Sequence, residues 1–174
     1  MPLSRPFPQI TMPWLLKTEP DCYSIDDLAR DKRTRWNGVR NYQARNFMRD
    51  GMKVGDPVLI YHSSADPPGV VGVASVSAAA EADVTALDPN DDHFDPKATK
   101  ANPIWMSVEV QFVERLPALI EIGLLRATKG IEAMALLQRG QRLSVQPVTE
   151  REFEIVMRLA RGTKPPKPRV GRAK

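Results

Sequence analysis

The chain has 174 residues, which is long enough for one domain with a well-buried core and too short for two ordinary domains. Its hydrophobic content of 42% and charged content of 26% are typical of a soluble globular protein, and no apolar run approaches the length of a membrane span. The single cysteine, Cys22, excludes an internal disulfide and a cysteine-based zinc site, so we expect a cytoplasmic protein, or a nuclear one in a eukaryote.

The formal net charge of +4 is concentrated at one end of the chain. Residues 161–174 include six basic residues and no acidic one, so the rest of the chain is slightly acidic. Long-range attraction of nucleic acid by the whole domain would therefore be weak, and any affinity must come from a local patch. We predict a flexible N-terminal arm over 1–12, a domain over 13–160 and a disordered basic tail over 161–174.

Apolar and alternating runs predict five short strands, and amphipathic runs predict four short helices. The predicted strands are 14–18, 57–62, 70–76, 104–113 and 142–147. The predicted helices are 25–30, 42–50, 132–138 and 150–159. Five or six short strands with a few short helices favour an α+β fold, in which a small, partly closed β-barrel is surrounded by the helices.

Polar side chains mark where three of these helices begin. Ser24 with Asp27 resembles a capping box, and Thr149 with Glu152 matches the usual pattern of one. Asn41 is a good N-cap for the helix that ends before Gly51. Gly72, which lies inside a predicted strand, also indicates a bulge or bend of the kind that small barrels need.

Several patterns argue against catalysis and metal binding. The segment 81–95 has six acidic residues and no Lys or Arg, but its spacing lacks the Gly and final Glu of a calcium loop, so we predict a long surface loop. Cys22 and His62 could act as nucleophile and base, yet nothing in the sequence brings them together, and a lone cysteine is more often buried. Trp14 and Trp105 lie in apolar strands and are predicted core residues. We expect a non-catalytic protein without a metal or cofactor.

Residues 35–49 interleave arginines, aromatic residues and asparagines. Arginines pair with phosphate oxygens, aromatic rings offer faces on which a base can stack, and asparagine amides suit the edge of a base. Trp36 has polar neighbours, which predict a partly exposed ring. Two alternatives remain open, namely that the arginines only form a solvated helix face and that Trp36 anchors the core.

Four motifs in this order resemble the EVE domain family. They are WLLKTEP from Trp14, WNGVRNYQARN from Trp36, YHS from Tyr61 and RLSVQP from Arg142. The resemblance covers about residues 13–160. It implies a PUA-like barrel, related to the ASCH and YTH domains, with a pocket for a modified base flipped out of DNA or RNA. In YTH domains a Lys-Ser pair lies beside an aromatic cage, and Lys17-Thr18 is the similar pair here.

The resemblance and the residue types together predict a site. The base pocket is predicted to contain Lys17, Thr18, Trp36, Asn37, His62 and Ser63. The backbone phosphates are predicted to contact Arg40, Arg45 and Arg49. His62 could instead be a histidine whose ring is satisfied at the end of a strand. We therefore predict a non-catalytic reader of a modified base in DNA or RNA. The alternatives are a small enzyme that acts on a modified nucleoside or nucleotide in the same cleft, and a module whose arginines dock an acidic protein.

Overall fold

The computed structural model describes residues 11–162. It has six strands: β1 (Trp14–Thr18), β2 (Arg33–Arg35), β3 (Pro57–His62), β4 (Gly69–Ala82), β5 (Met106–Glu121) and β6 (Val145–Pro147). Its α-helices are α1 (Ile25–Asp31), α2 (Tyr42–Asn46), α3 (Ile122–Arg126) and α4 (Glu150–Gly162). None of the described helices combines the length and the apolar character needed to cross a membrane. The predictions for 1–10 and 163–174 lie outside the described residues.

The strands form one mixed sheet in the order β2-β5-β4-β3-β1-β6. Strands β3, β4 and β5 pair antiparallel, β1 runs parallel to β3, and β6 pairs antiparallel with β1. The predicted α+β, PUA-like fold is confirmed. The described strands form an open sheet, however, because the edge strands β2 and β6 have three residues each and do not pair with one another.

Both faces of the sheet are covered, which explains the continuous apolar runs in β1 and β3. Trp14 and Leu16 of β1 pack in a cluster with α1 and α2, whereas Leu15 packs in a second cluster with α4. The indole of Trp14 is 2% exposed, and its N–H donates a hydrogen bond of 2.9 Å to Asp56. Trp105 is 5% exposed, so both tryptophans predicted for the core are buried.

The predicted helix starts are confirmed. The Ser24 hydroxyl accepts a hydrogen bond from the Asp27 N–H while the Asp27 carboxylate accepts one from the Ser24 N–H. Thr149 and Glu152 exchange the same two bonds at the start of α4. The Asn41 side chain accepts a hydrogen bond from the N–H of Ala44 and caps α2, and a wider π-helical turn continues α2 over Phe47–Gly51.

The bend predicted at Gly72 is also confirmed. The register between β4 and β5 shifts between Val70 and Gly72, and Gly72 packs directly under the Ile25 side chain at the start of α1. A Cβ atom at position 72 would overlap that side chain, so the close packing of α1 on the sheet depends on glycine. This contact fixes the start of α1 on β4.

Four predictions in loops and edge elements were wrong because tertiary pairing overrode local pattern. The predicted helix 132–138 is a single 3-10 turn over Ala135–Leu137. Strand β5 was predicted to end at residue 113, but it continues to Glu121 because it pairs with the beginning of β4. Strand β2 was missed because its three polar residues carry no strand signal. The surface loop expected from residue 81 starts later, because β4 runs to Ala82 and Asp83 is fully buried.

Candidate functional site

A cleft of about 620 Å³ opens at the carboxyl end of β1, next to Trp36. We call it the Trp36 cleft. Its walls come from the end of β1 and the following turn, from residues 34–40, and from two distant side chains, His93 and Ser144. The cleft therefore forms where four separate segments of the chain meet, and Trp36 and Val39 are its buried lining residues.

Four of the six residues predicted for a base pocket line the Trp36 cleft, namely Lys17, Thr18, Trp36 and Asn37. The structure places the other two, His62 and Ser63, outside it. The Nε2 atom of His62 accepts a hydrogen bond of 3.1 Å from the Ile25 N–H, and the Ser63 N–H donates one of 3.0 Å to the Thr18 carbonyl. Because His62 ends β3 beside the first turn of α1, its ring satisfies the start of that helix.

The Trp36 indole is only 8% exposed, so the prediction of a partly exposed ring was wrong. Trp36 directly follows β2, where successive side chains point to opposite sides, so its polar neighbours do not carry the ring outward. Tyr23 packs edge-on against it, with ring centroids 6.3 Å apart and planes at 88°. Trp36 belongs to the core and also lines the cleft, so it forms a rigid part of the wall.

The loop after Trp36 is held by Asp83. The Asp83 carboxylate accepts hydrogen bonds from the Gly38 N–H at 2.8 Å, from Arg40 Nη1 at 2.9 Å, and from the Thr85 N–H at 2.9 Å. Burial opposes its ionisation, but these hydrogen bonds outweigh burial and lower the pKa of Asp83. Gly38 has a φ of +84°, and a Cβ atom there would lie 2.7 Å from Nε2 of His93.

Arg40 uses all five of its N–H donors within the domain. Nε and Nη2 donate to the His93 carbonyl at 3.0 and 2.7 Å, and Nη1 donates to the Val39 carbonyl and to Asp83 at 3.0 and 2.9 Å. The second Nη2 bond, of 3.1 Å, goes to the Thr85 hydroxyl. Arg40 was predicted to bind phosphate, but here it fastens residues 83–93 to the cleft, because every donor already has a protein acceptor.

Arg45 and Arg49 lie on the outer side of the helical segment. The Arg45 guanidinium stacks 4.9 Å from the Tyr42 ring, and its donors contact Asn46 and the Ile104 carbonyl. Arg49 pairs with its neighbour Asp50 at 2.8 Å, where both side chains are largely exposed. Neither arginine lines the Trp36 cleft. Both therefore face surface rather than pocket.

Lys17 carries a positive charge into the cleft without a counter-charge. Its side chain is half-buried, and burial lowers the pKa of its ammonium group. Nζ lies 5.9 Å from the centroid of the Tyr61 ring. Within residues 11–162, neither a hydrogen-bond acceptor nor a carboxylate partner contacts Nζ. Such a group is available to a ligand that carries an acceptor or a negative charge.

A family model identifies the chain. The model of the EVE domain matches residues 13–159. The chain belongs to the EVE domain family. It is 41% identical over 165 residues to human thymocyte nuclear protein 1, an alignment that covers 84% of this chain and 72% of the relative.

Solved structures are similar to this EVE domain over nearly their whole length. A crystal structure of a Pseudomonas putida protein has a TM-score of 0.83 and 46% identity, covering 85% of this chain and 99% of that one. A crystal structure of human thymocyte nuclear protein 1 in complex with DNA containing 5-methylcytosine has a TM-score of 0.82 and 37% identity, covering 89% and 100%. The resemblance inferred from four short motifs is therefore confirmed.

Sequence reasoning missed several residues that shape this EVE domain's cleft. Asp83 and His93 come from the acidic segment expected to be a surface loop, and Tyr23 and Ser144 line the cleft beside Lys17 and Trp36. A usable signal was the charge of 81–95, which complements that of the arginine-rich stretch. Cys22, expected to be buried, is exposed and also lines the cleft. Among the described residues, no group of three His, Cys, Asp or Glu side chains could hold a metal ion.

Proposed function

We propose that this EVE domain reads a modified base in DNA, with 5-methylcytosine as the first candidate, and that it holds the flipped base in the Trp36 cleft without transforming it. The observation that carries the proposal is the convergence of a fixed indole wall with polar groups that lack protein partners. These groups are the Lys17 ammonium, the Asn37 amide and the Ser144 hydroxyl, none of which has a side-chain hydrogen bond within residues 11–162. The DNA complex of the 37% identical human protein supports this choice of ligand.

The cleft has room for one base and polar groups that can pair with its edge. Its volume of about 620 Å³ falls within the range of about 300–1,000 Å³ typical of ligand pockets. Cytosine and 5-methylcytosine present carbonyl and ring-nitrogen acceptors that can accept from Lys17, and an amino group that can donate to the Asn37 carbonyl. The asparagine is exposed at the cleft mouth, so it can approach the base without disturbing the fold.

The expected energy balance places selectivity in the cleft. Extruding a base costs a few kcal/mol, least where the base is damaged, mismatched or already single-stranded. Stacking on an aromatic ring returns roughly 1–3 kcal/mol. Because Trp36 is largely buried, only its cleft-facing part contributes, so hydrogen bonds to Lys17 and Asn37 must supply much of the remainder. A DNA ligand also implies a location with the genome, in the bacterial cytoplasm or the eukaryotic nucleus.

Of the three arginines predicted to contact phosphates, we retain Arg45 and Arg49 for backbone contacts at the rim. Arg49 contacts only the adjacent Asp50, an exposed pair that is worth little and can exchange for a phosphate. Arg40 would have to abandon Asp83 and the His93 carbonyl to do the same. We therefore assign Arg40 to shaping the cleft.

The test compares binding of matched oligonucleotides with cytosine or 5-methylcytosine at one position, measured by fluorescence anisotropy. Asn37→Ala and Lys17→Met should weaken binding of the 5-methylcytosine oligonucleotide by roughly ten- to a hundred-fold, as expected for lost hydrogen bonds that involve a charged or buried group. Gln43→Ala and Lys53→Met remove exposed groups of the same type away from the cleft and should change nothing. Equal affinities of the wild-type protein for both oligonucleotides would refute the proposal.

Trp36 needs a conservative substitution because truncation of a buried tryptophan costs about 3–5 kcal/mol of stability. Trp36→Phe keeps a ring in the core and should weaken binding of the modified base, with thermal unfolding as the control for folding. The same samples, followed by mass spectrometry, test the alternative of a small enzyme. A converted nucleoside would favour catalysis in this cleft over reading.

A further inference from the structure

A second cleft, of about 550 Å³, lies next to the Trp36 cleft and shares Lys17 with it. We call it the Tyr61 cleft. Its other walls are Tyr61 of β3, Ile122 and Arg126 of α3, and the segment 136–141. Because Lys17 lines both clefts, a ligand that fills the first cleft reaches the second by passing this one side chain.

The Tyr61 cleft is positively charged. Arg126 and Arg139 line it together with Lys17, and none of its lining residues is acidic. Within the described part of the chain, neither arginine side chain makes a hydrogen bond or an ion pair. This differs from Arg40 and Arg49, which are paired with Asp83 and Asp50. The Tyr61 cleft therefore holds unpaired positive charge, whereas the guanidinium group of Arg40 is fully occupied by protein acceptors.

Tyr61 supplies a hydrogen-bond donor to the same cleft. Its side chain is 6% exposed and packs in the core cluster with Leu15 and α4, yet its hydroxyl has no hydrogen-bond partner among residues 11–162. Arg126 lines the same cleft; burial raises the pKa of Tyr61, and the charge of Arg126 opposes that rise. The hydroxyl stays protonated and can donate. A nearly buried donor without a protein acceptor, beside cations, is suited to an anionic oxygen.

We propose that the Tyr61 cleft binds a backbone phosphate of the same nucleic-acid strand, next to the base held in the Trp36 cleft. The inference rests on the proposed function for the identity of the strand. Each of the two guanidinium groups can donate two parallel N–H hydrogen bonds to a phosphate, and the Tyr61 hydroxyl can donate a further one. Lys17, at the junction, then lies between the base and this phosphate. The strand runs over β1 from one cleft to the other.

The double variant Arg126→Ala/Arg139→Ala tests this. Its affinity for every oligonucleotide should fall at least about tenfold, and the slope of log K against log salt should shrink by about 1, the value for one lost phosphate contact. The ratio of affinities for modified and unmodified oligonucleotides should stay the same. Arg158→Ala/Arg161→Ala removes two exposed arginines of α4 that line neither cleft, and should leave the slope unchanged.

A ligand without phosphate separates the two clefts. The free nucleoside 5-methyl-2′-deoxycytidine should bind the Arg126/Arg139 double variant as it binds the unmodified protein. Tyr61→Phe removes one hydroxyl from a packed ring and should weaken oligonucleotide binding while leaving nucleoside binding unchanged. An unchanged salt slope in the double variant would overturn the proposal. The proposed function fails on a different result, namely the absence of any preference for the modified base.

Free phosphate could occupy the cleft for the same chemical reason. Binding is therefore repeated with inorganic phosphate and with chloride at equal ionic strength. If phosphate competes with the oligonucleotide in the unmodified protein and not in the double variant, the shared site is supported. If phosphate binds the wild-type protein but the wild type and the double variant bind oligonucleotides with the same affinity, the cleft holds free anions only and the proposal is overturned.

Discussion

Removing the Asp83 carboxylate should loosen the Trp36 cleft and destabilise the domain. The side chain of Asp83 is 0% exposed, and that of its partner Arg40 is 22% exposed. Asp83→Ala would leave the Gly38 N–H without its acceptor and the Arg40 guanidinium with no carboxylate partner. The change therefore affects two residues, Gly38 and Arg40, of the segment 34–40 that forms the cleft wall.

The expected loss follows from the burial of this pair. Removing one partner of a buried ion pair costs about 3–5 kcal/mol. Because Arg40 keeps some contact with solvent, we expect the lower end, about 3 kcal/mol. A loss of 1 kcal/mol lowers the melting temperature of a domain of 150–250 residues by about 2–4 °C. Asp83→Ala should therefore lower it by roughly 6–12 °C.

Urea unfolding followed by tryptophan fluorescence measures this loss as a lower midpoint at an unchanged m-value. Asp92→Ala is the matched control, since Asp92 is an exposed carboxylate in the same segment and should have an effect within about 0.5 kcal/mol. Arg40→Met combined with Asp83→Ala should be less destabilising than the sum of the single variants by about 1–3 kcal/mol. Additive effects, or a loss below about 1 kcal/mol for Asp83→Ala, would refute the role assigned to this pair.

Three further outcomes are expected. Gly38→Ala should cost about 1–3 kcal/mol in urea unfolding because of its positive φ and the nearby His93 ring, and adding His93→Ala should recover only the part caused by the clash. Burial lowers the pKa of His62 from 6.5, and the charge of Asp26 opposes this shift. The stabilisation from neutral His62 should therefore be complete above pH 6.5, and the free energy of unfolding should fall as the pH falls through the lowered pKa. Urea unfolding between about pH 8 and pH 5 measures this fall, which His62→Gln should reduce. A thiol reagent should modify the exposed Cys22 readily, and more slowly once a modified oligonucleotide fills the Trp36 cleft, whereas equal rates would place the ligand elsewhere.

Local features of the fold were predictable because they depend on neighbours in sequence. A capping residue acts on backbone groups two or three positions away, so Ser24, Asn41 and Thr149 marked their helices correctly. The helix predicted over 132–138 was wrong because the conformation of this segment depends on packing against residues that are distant in sequence. Its apolar residues Met134 and Leu136 pack in the cluster that contains residues of β5 and α4, and only one 3-10 turn forms there.

The candidate site was only partly predictable. Lys17, Trp36 and Asn37 were identified from residue type and resemblance, because they lie in two of the four short motifs. His62 was drawn into the same group although its ring is used by α1, a contact between residues 37 positions apart. No periodicity or composition reports which acceptor a side chain meets at that separation.

The sequence by itself determined the family, five of the six strands, three of the helix starts, and the residue types that a base pocket requires. Only the tertiary structure decided which charges are available to a ligand. Arg40 is taken by Asp83, 43 positions along the chain, whereas Arg126 and Arg139 face a cleft without any acidic residue. The reason is that an arginine is available to a ligand only if no protein acceptor already pairs with it. Whether such an acceptor lies nearby is decided by the pairing of distant strands rather than by adjacent residues.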